Sequence, residues 1–289
     1  MTLRSLALCG ALLAAPAAQA IDLEPLWDFG NPAPSDQRFR DALASARGDD
    51  ALILQTQIAR THGLRRDFER ARAVLREVEP QLAGAGPEAR VRHALETGRS
   101  HASGTHRKEE RTPETDALAR AAYRSALAQA RKARLDGLAI DAIHMFAFID
   151  TAPEQQLHWA QEALAVVQAS EQPAAQRWEA SIRNNLGVAF NGLKRHDEAL
   201  AQLQQALVLR ERMGNPSRTR VSQWMVAHTL RLLGRNDEAL AIQLRLEREN
   251  DTAGTPDRYV FEELELLHRA RGEAERAEHY ATRRKAAGA

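Results

Sequence analysis

Lys194-Arg195-His196-Asp197-Glu198-Ala199-Leu200 returns forty residues later as Gly234-Arg235-Asn236-Asp237-Glu238-Ala239-Leu240. A chain that reuses a segment at a fixed interval is built from one supersecondary unit stacked on copies of itself, because a single unit cannot cover its own apolar face. The unit reads as two helices and a turn. Asn185-Leu186-Gly187-Val188-Ala189-Phe190 precedes the first copy at helical spacing, and Ala199, Leu203 and Ala206 continue the stripe beyond the turn. Nothing after residue 20 alternates with period two for long enough to make a strand. An aromatic content of 5% and abundant alanine suit close-packed helices.

The first twenty residues have a different character. Arg4, an apolar run from Leu6 to Ala15, and then Ala18-Gln19-Ala20 follow the order of a secretory signal peptide, with cleavage expected after Ala20. Ten residues of helix span about 15 Å, too short for a hydrocarbon core of about 30 Å. Residue 8 is leucine where a lipid-anchored cysteine at position 9 would want a small neighbour. The expectation is therefore a periplasmic or secreted protein without stable membrane insertion. Cleavage removes the only cysteine, so no disulfide or thiolate chemistry remains. It also removes one of 40 basic residues, leaving 39 against 39 acidic ones. A chain near neutrality carries no footprint for nucleic acid.

Residues 21–50 read as a cap, with Leu26, Trp27 and Phe29 before a helix that Ser35 would N-cap, carrying Phe39 and Leu43 and closing at Gly48. Trp27 is expected to bury area there. Six helix pairs are expected over 51–282. The first holds Ile58, Ala59, Phe68, Ala71 and Leu75, with its turn at Gly63 to Arg66. The second starts at Val91, Leu95 and Gly98 and resumes at Leu118, Tyr123 and Ala126 after a polar insert, His101 to Thr115. The third turns at Asp150-Thr151-Ala152-Pro153. The fourth and fifth contain the repeated segment, and the sixth runs from Asp257 through Phe261, Leu264, Gly272 and Ala277 to Tyr280. Residues 283–289 read as a frayed tail.

Leu186, Gly187, Phe190, Ala199, Leu203 and Ala206 follow in order the pattern of the tetratricopeptide repeat, which this chain resembles over about 240 residues. Small residues at Gly187 and Ala199 let two helix axes approach to the short end of the 8–10 Å range. The fifth pair departs from the pattern at Gln243 and Leu246, and the sixth at Glu265 and His268. The spacing of Ala199, Ala239 and Ala277 is longer than the usual unit. The start of the chain, Leu26-Trp27-Asp28-Phe29 with Ser35 and Phe39, resembles a group of uncharacterised exported bacterial proteins of this repeat type. The resemblance implies an all-α, right-handed α-solenoid of about six helix pairs with an N-terminal capping helix.

It also implies an inner groove lined by set positions of each first helix. Carried onto this chain, they are Arg60, Asn184, Val188, Asn191, Trp224, His228, Arg231, Tyr259 and Glu262, with His93, Asp141 and Phe148 from the weaker units. Trp224, His228 and Arg231 share one helical face, and tryptophan and arginine commonly anchor interfaces, so the partner is expected there. Packing of Trp224 into a neighbouring repeat is the alternative.

Catalytic signatures are missing: there is no GxSxG, phosphate-binding glycine loop or His-Glu-x-x-His. His101, His106, Glu109 and Glu110 are the best metal candidates, yet their spacing fits no helical ligand pair, and the stretch reads as a solvated insert. The expectation is a protein or peptide partner held without cofactor, metal or catalysis, by a scaffold of the bacterial envelope. An envelope enzyme or a small-ligand receptor on the same scaffold is the alternative.

Overall fold

The computed structural model describes residues 21–288; the expected leader, with Ala18 and Ala20 at its cleavage site, lies outside them. Fourteen α-helices occur among the described residues, and no strand. They are α1 (Pro32–Leu43), α2 (Gly48–Leu64), α3 (Phe68–Val78), α4 (Pro87–His101), α5 (Pro113–Ala133), α6 (Asp136–Phe146), α7 (Pro153–Ala169), α8 (Pro173–Gln176), α9 (Glu179–Gly192), α10 (His196–Arg212), α11 (Pro216–Leu232), α12 (Asn236–Thr252), α13 (Arg258–Ala270) and α14 (Ala274–Ala287). Six pairs pack in chain order: α2/α3, α4/α5, α6/α7, α9/α10, α11/α12 and α13/α14. Helix α1 lies against α2, and α8 is a single turn between the third and fourth pairs. The array is an all-α solenoid.

The repeated heptapeptide becomes a repeated turn. Lys194 and Gly234 both take left-handed backbone, at φ 60° and 76°. The next N–H then reaches back five residues, Arg195 to Phe190 O and Arg235 to Leu230 O, each at 2.9 Å. That bond satisfies a carbonyl that the helix end leaves open. Asp197-Glu198 and Asp237-Glu238 occupy the first turns of α10 and α12, where carboxylates complement the helix dipole. Arg66 and Gly272 make the same turn in the first and sixth pairs.

Close crossing explains the small residues and fixes the register of the second pair. A Cβ on Gly187 would stand 2.4 Å from Leu203 Cγ, and one on Gly98 would stand 2.3 Å from Tyr123 Cε1. Gly98, Ala119, Tyr123 and Ala126 therefore repeat Gly187, Ala199, Leu203 and Ala206 around a longer connection. Tyr123, fully buried, donates from its hydroxyl to Ala102 O at 2.6 Å.

Three expectations are corrected. Ser35 is no N-cap: α1 starts earlier, at Pro32, and the fully buried Ser35 Oγ accepts from Asp28 N at 2.7 Å. The connection after α4 is tucked in, because His106 stacks on Phe68 at 3.7 Å and Arg66 bonds Thr105 O and Glu110. The segment from 283 stays helical to Ala287, held by Arg283 to Glu247 and Asp251 on α12.

Candidate functional site

The first helices of the six pairs carry a two-residue pattern at i and i+3: Gln57/Arg60, Glu96/Arg99, Asp141/His144, Asn185/Val188, Met225/His228 and Glu263/Leu266. Residues three apart lie on one face, so each pair points the same way. The second member of one helix meets the first member of the next. Arg60 NH1 lies 3.7 Å from Glu96, Arg99 bonds Asp141, Asn185 Nδ2 is 2.9 Å from His144 Nδ1, and His228 Nδ1 is 2.9 Å from Glu263. A polar ladder thus runs between first helices. Its one apolar step falls between α9 and α11, where Val188 is 42% exposed.

Electrostatics divide the ladder. Burial alone would raise the Asp141 carboxyl, but Arg99 and Arg60 hold it below its ordinary value. Burial lowers the His144 imidazole, so the neutral ring accepts a hydrogen bond from the Asn185 amide. Glu263, 3% exposed, is held low by His228 and Arg231 against the opposite pull of burial. Arg231 binds it with two bonds, at 2.8 and 2.9 Å. Arg60 differs. It makes no hydrogen bond among the described residues, its Nε is enclosed without a partner, and its second carboxylate neighbour, Asp141, is 4.0 Å away.

Arg60 stands in a cleft of about 610 Å³ whose walls come from α2, α4, α6, the α8 region and α11. Residues from the first pair and the fifth touch one cavity, so the array curls around this face. The N-terminal segment also enters it. Trp27 and Phe29 stack at 4.5 Å, Arg60 lies over both rings at 5.6 and 5.3 Å, and Glu24 pairs with Arg177 across the opening. Trp27 Nε1 donates to Gln57 at 3.2 Å, which makes this tryptophan a wall of the cleft as well as part of the cap. The helices and their connections supply four guanidinium groups (Arg60, Arg92, Arg177, Arg218) against the carboxylates of Glu88 and Asp141, and Asp22 and Glu24 of the N-terminal segment make up the difference.

Of the residues expected in a groove, Arg60 and Asp141 lie in this cleft, and Val188 lines a separate apolar cavity with Phe148. His93 does not: its Nε2 is 3.1 Å from Leu75 O on α3, and Arg92 lines the cleft instead. Asn184 is half-buried beside Asn185, the residue that reaches the apolar cavity. Asn191 bonds Thr229 on α11 at 2.7 Å and His196 at 2.9 Å, so it joins repeats. His228 and Arg231 are spent on Glu263. Trp224 is half-buried between His228, 5.2 Å away, and Tyr259, 6.0 Å away, and borders a separate cavity of about 370 Å³ against α13. Tyr259 is exposed at that rim, and Glu262, also exposed, faces Arg284 at 4.0 Å. Glu96, Arg99, His144, Asn185 and Trp178 escaped the sequence reading, although the i, i+3 polar pairs were there to be read.

Among the described residues no three His, Cys, Asp or Glu side chains gather as a metal site, and no helix is long and apolar enough to cross a membrane. Hydrogen-bonding guanidinium, paired carboxylates and aromatic faces equip the cleft to hold a polar chain.

The fold defines a helical-repeat protein. Residues 178–247, which run from the N-cap of α9 into α12, match the tetratricopeptide repeat, so this part of the array carries that repeat. Among solved structures it is similar to the Signal Transduction ATPase with Numerous Domains protein with a tetratricopeptide repeat sensor from Pyrococcus horikoshii, with a TM-score of 0.65, 12% identity and coverage of 88% of this chain and 38% of that one. BtubC (BKLC) from P. vanneervenii aligns with a TM-score of 0.58 and 17% identity over 81% of this chain and 93% of its own. Aspartyl phosphate phosphatase F from Bacillus subtilis aligns with a TM-score of 0.56 and 14% identity over 92% and 78%. The chain thus spans 38% of the length of the Pyrococcus protein, and at these identities the likeness is one of fold. No protein of curated function matches the chain in sequence.

Proposed function

We propose that this protein is a non-catalytic receptor of the bacterial envelope that holds an extended segment of a partner protein in the cleft between α2, α4, α6, the α8 region and α11. The observation that carries the reading is Arg60, a cation with unspent donors at the floor of an open, aromatic-walled cavity. Arg60 is partly exposed with its Nε enclosed and unpartnered, which is costly, and a ligand carbonyl or carboxylate would satisfy it. Repeat arrays offer extended inner surfaces suited to such segments. This reading centres the site on Arg60 rather than on Trp224, where the sequence pattern pointed.

Placement outside the cytoplasm rests on the pattern of residues 1–20 alone. N-terminal sequencing of the protein from its native cells should begin at Ile21, and an intact Met1 would remove the envelope assignment.

Peptide display against the full chain tests the binding reading. Selected peptides should lose affinity at least about tenfold on Arg60→Ala, with melting little changed. A display that selects nothing, or peptides that bind Arg60→Ala equally well, would overturn it.

A further inference from the structure

The third pair is built short. Helix α6 ends after 11 residues, where α9 runs for 14 and α11 for 17. The chain leaves the helix at Phe146, turns with Ile149 N and Asp150 N both bonded to Phe146 O, and is fixed when Asp150 accepts from Trp159 Nε1 at 2.8 Å and pairs with Arg120. The space that a further turn would fill stays open above Ala160 and Ala163 of α7. It is a cavity of about 190 Å³ walled by Phe148, Trp159, Ala160, Ala163, Ile182 and Val188. His144 and Asn185, hydrogen-bonded to one another, form its polar edge. Val188 is the apolar break in the polar ladder, and it is exposed at the mouth.

We infer that this cavity takes one large apolar side chain, aromatic or branched aliphatic, from the partner segment, and that a carboxylate a few residues along the same segment meets Arg60. The inference rests on the receptor reading and names the chemistry of what is received. Size supports it: an apolar cavity of roughly 150 Å³ holds a benzene. Lining supports it too, since aromatic, aliphatic and alanine side chains surround the space. Charge complementarity sets the second anchor. His144 and Phe148 line both this cavity and the adjoining recess of about 240 Å³ that reaches Arg60, so one extended chain can use both. Arg60 has no hydrogen bond of its own, and the guanidinium groups on the cleft walls outnumber the carboxylates there before the N-terminal segment is counted.

Methyl NMR of the full chain tests the proposal with defined probes. Titration with N-acetylphenylalaninamide should shift the methyl signals of Ala160, Ala163, Ile182 and Val188, whereas N-acetylalaninamide should leave them in place. Ala160→Leu, which fills the cavity from within, should abolish the shifts. Val188→Asp, at an exposed position that the fold tolerates, should do the same and keeps the test decisive if Ala160→Leu does not fold. N-acetyl-Phe-Gly-Glu-amide should bind about threefold more tightly than its Lys counterpart, and Arg60→Gln should erase that preference. Shifts centred elsewhere, no shifts at all, or unchanged binding to both cavity variants would overturn the inference. Display-selected peptides that need Arg60 but ignore Ala160→Leu and Val188→Asp would sink the inference and leave the receptor reading standing. Cavity shifts without any selected peptide would do the reverse.

Discussion

The first helices of the second and sixth pairs carry the same chemistry and put it to different uses. In α4, Glu96 and Arg99 face neighbours on both sides, and the cation beyond them, Arg60, is left facing a cleft without a hydrogen bond. In α13, Glu263 draws in His228 and Arg231 of α11 and leaves neither free. Whether a polar residue on an inner face becomes a site or a staple depends on the next helix: a fully bonded counter-ion closes it, and a distant one leaves donors for a ligand. The C-terminal pairs are therefore held together by groups that resemble a binding trio, and the N-terminal pairs leave donors open toward a cleft.

The largest effect tests this division. Glu263→Ala should strand Arg231 and His228 at the α11/α13 contact and cost about 3 kcal/mol, the low end for a broken buried pair, because both partners keep some exposure. Arg60→Ala should cost much less in stability and remove peptide binding. Urea denaturation of the two variants, with peptide binding measured alongside, separates them. If Glu263→Ala melts like the parent, the staple is no staple and the trio returns as a candidate site.

Much of the fold was legible because packing leaves periodic marks. Gly187, Ala199, Leu203 and Ala206 name a helix crossing, and the heptapeptide at 194–200 and 234–240 names a turn. The inner face was less legible. His93 was placed in it on an alignment that the long connection after α4 had blurred, and only the contact of Gly98 with Tyr123 fixes that register. His228 and Arg231 follow from repeat position, and position does not reveal that Glu263, 35 and 32 positions away, has already bound them. The apolar cavity had no sequence mark, since it comes from the early end of α6.

Next in size is a comparison between the fourth pair and the drifted fifth. Leu203 fills the crossing in α10, and the equivalent residue in α12 is Gln243, fully buried, with neither amide atom bonded. Such a group costs about 1–3 kcal/mol. Gln243→Leu should raise the melting temperature by several degrees, and a fall would mean that the amide serves a contact beyond the described residues. The turns supply a smaller contrast. Lys194 adopts the left-handed backbone that Gly234 adopts freely, at a cost of about 1 kcal/mol. Lys194→Gly should recover part of that, while Gly234→Ala should lose a similar amount, both read from denaturant midpoints. Equal midpoints in all three proteins would show that the turn is not strained.

The smallest expected effect concerns protons on the inner face of the third pair. His144 is held neutral by burial, with its folded pKa below the ordinary value of 6.5. The unfolded chain therefore takes up a proton at this residue at a pH where the folded chain does not. Stability from His144 is complete above about 6.5 and declines as pH falls from there toward the lowered folded value. Asp141, held low by Arg99, adds a loss only at more acidic pH, as solution pH falls below its ordinary 3.8. Melting between pH 7.5 and 5.5 should therefore show a shallow decline that His144→Asn reduces, because an amide can still hydrogen-bond with Asn185 and does not titrate. A slope that His144→Asn preserves would mean that the inner face of the third pair does not supply this pH dependence.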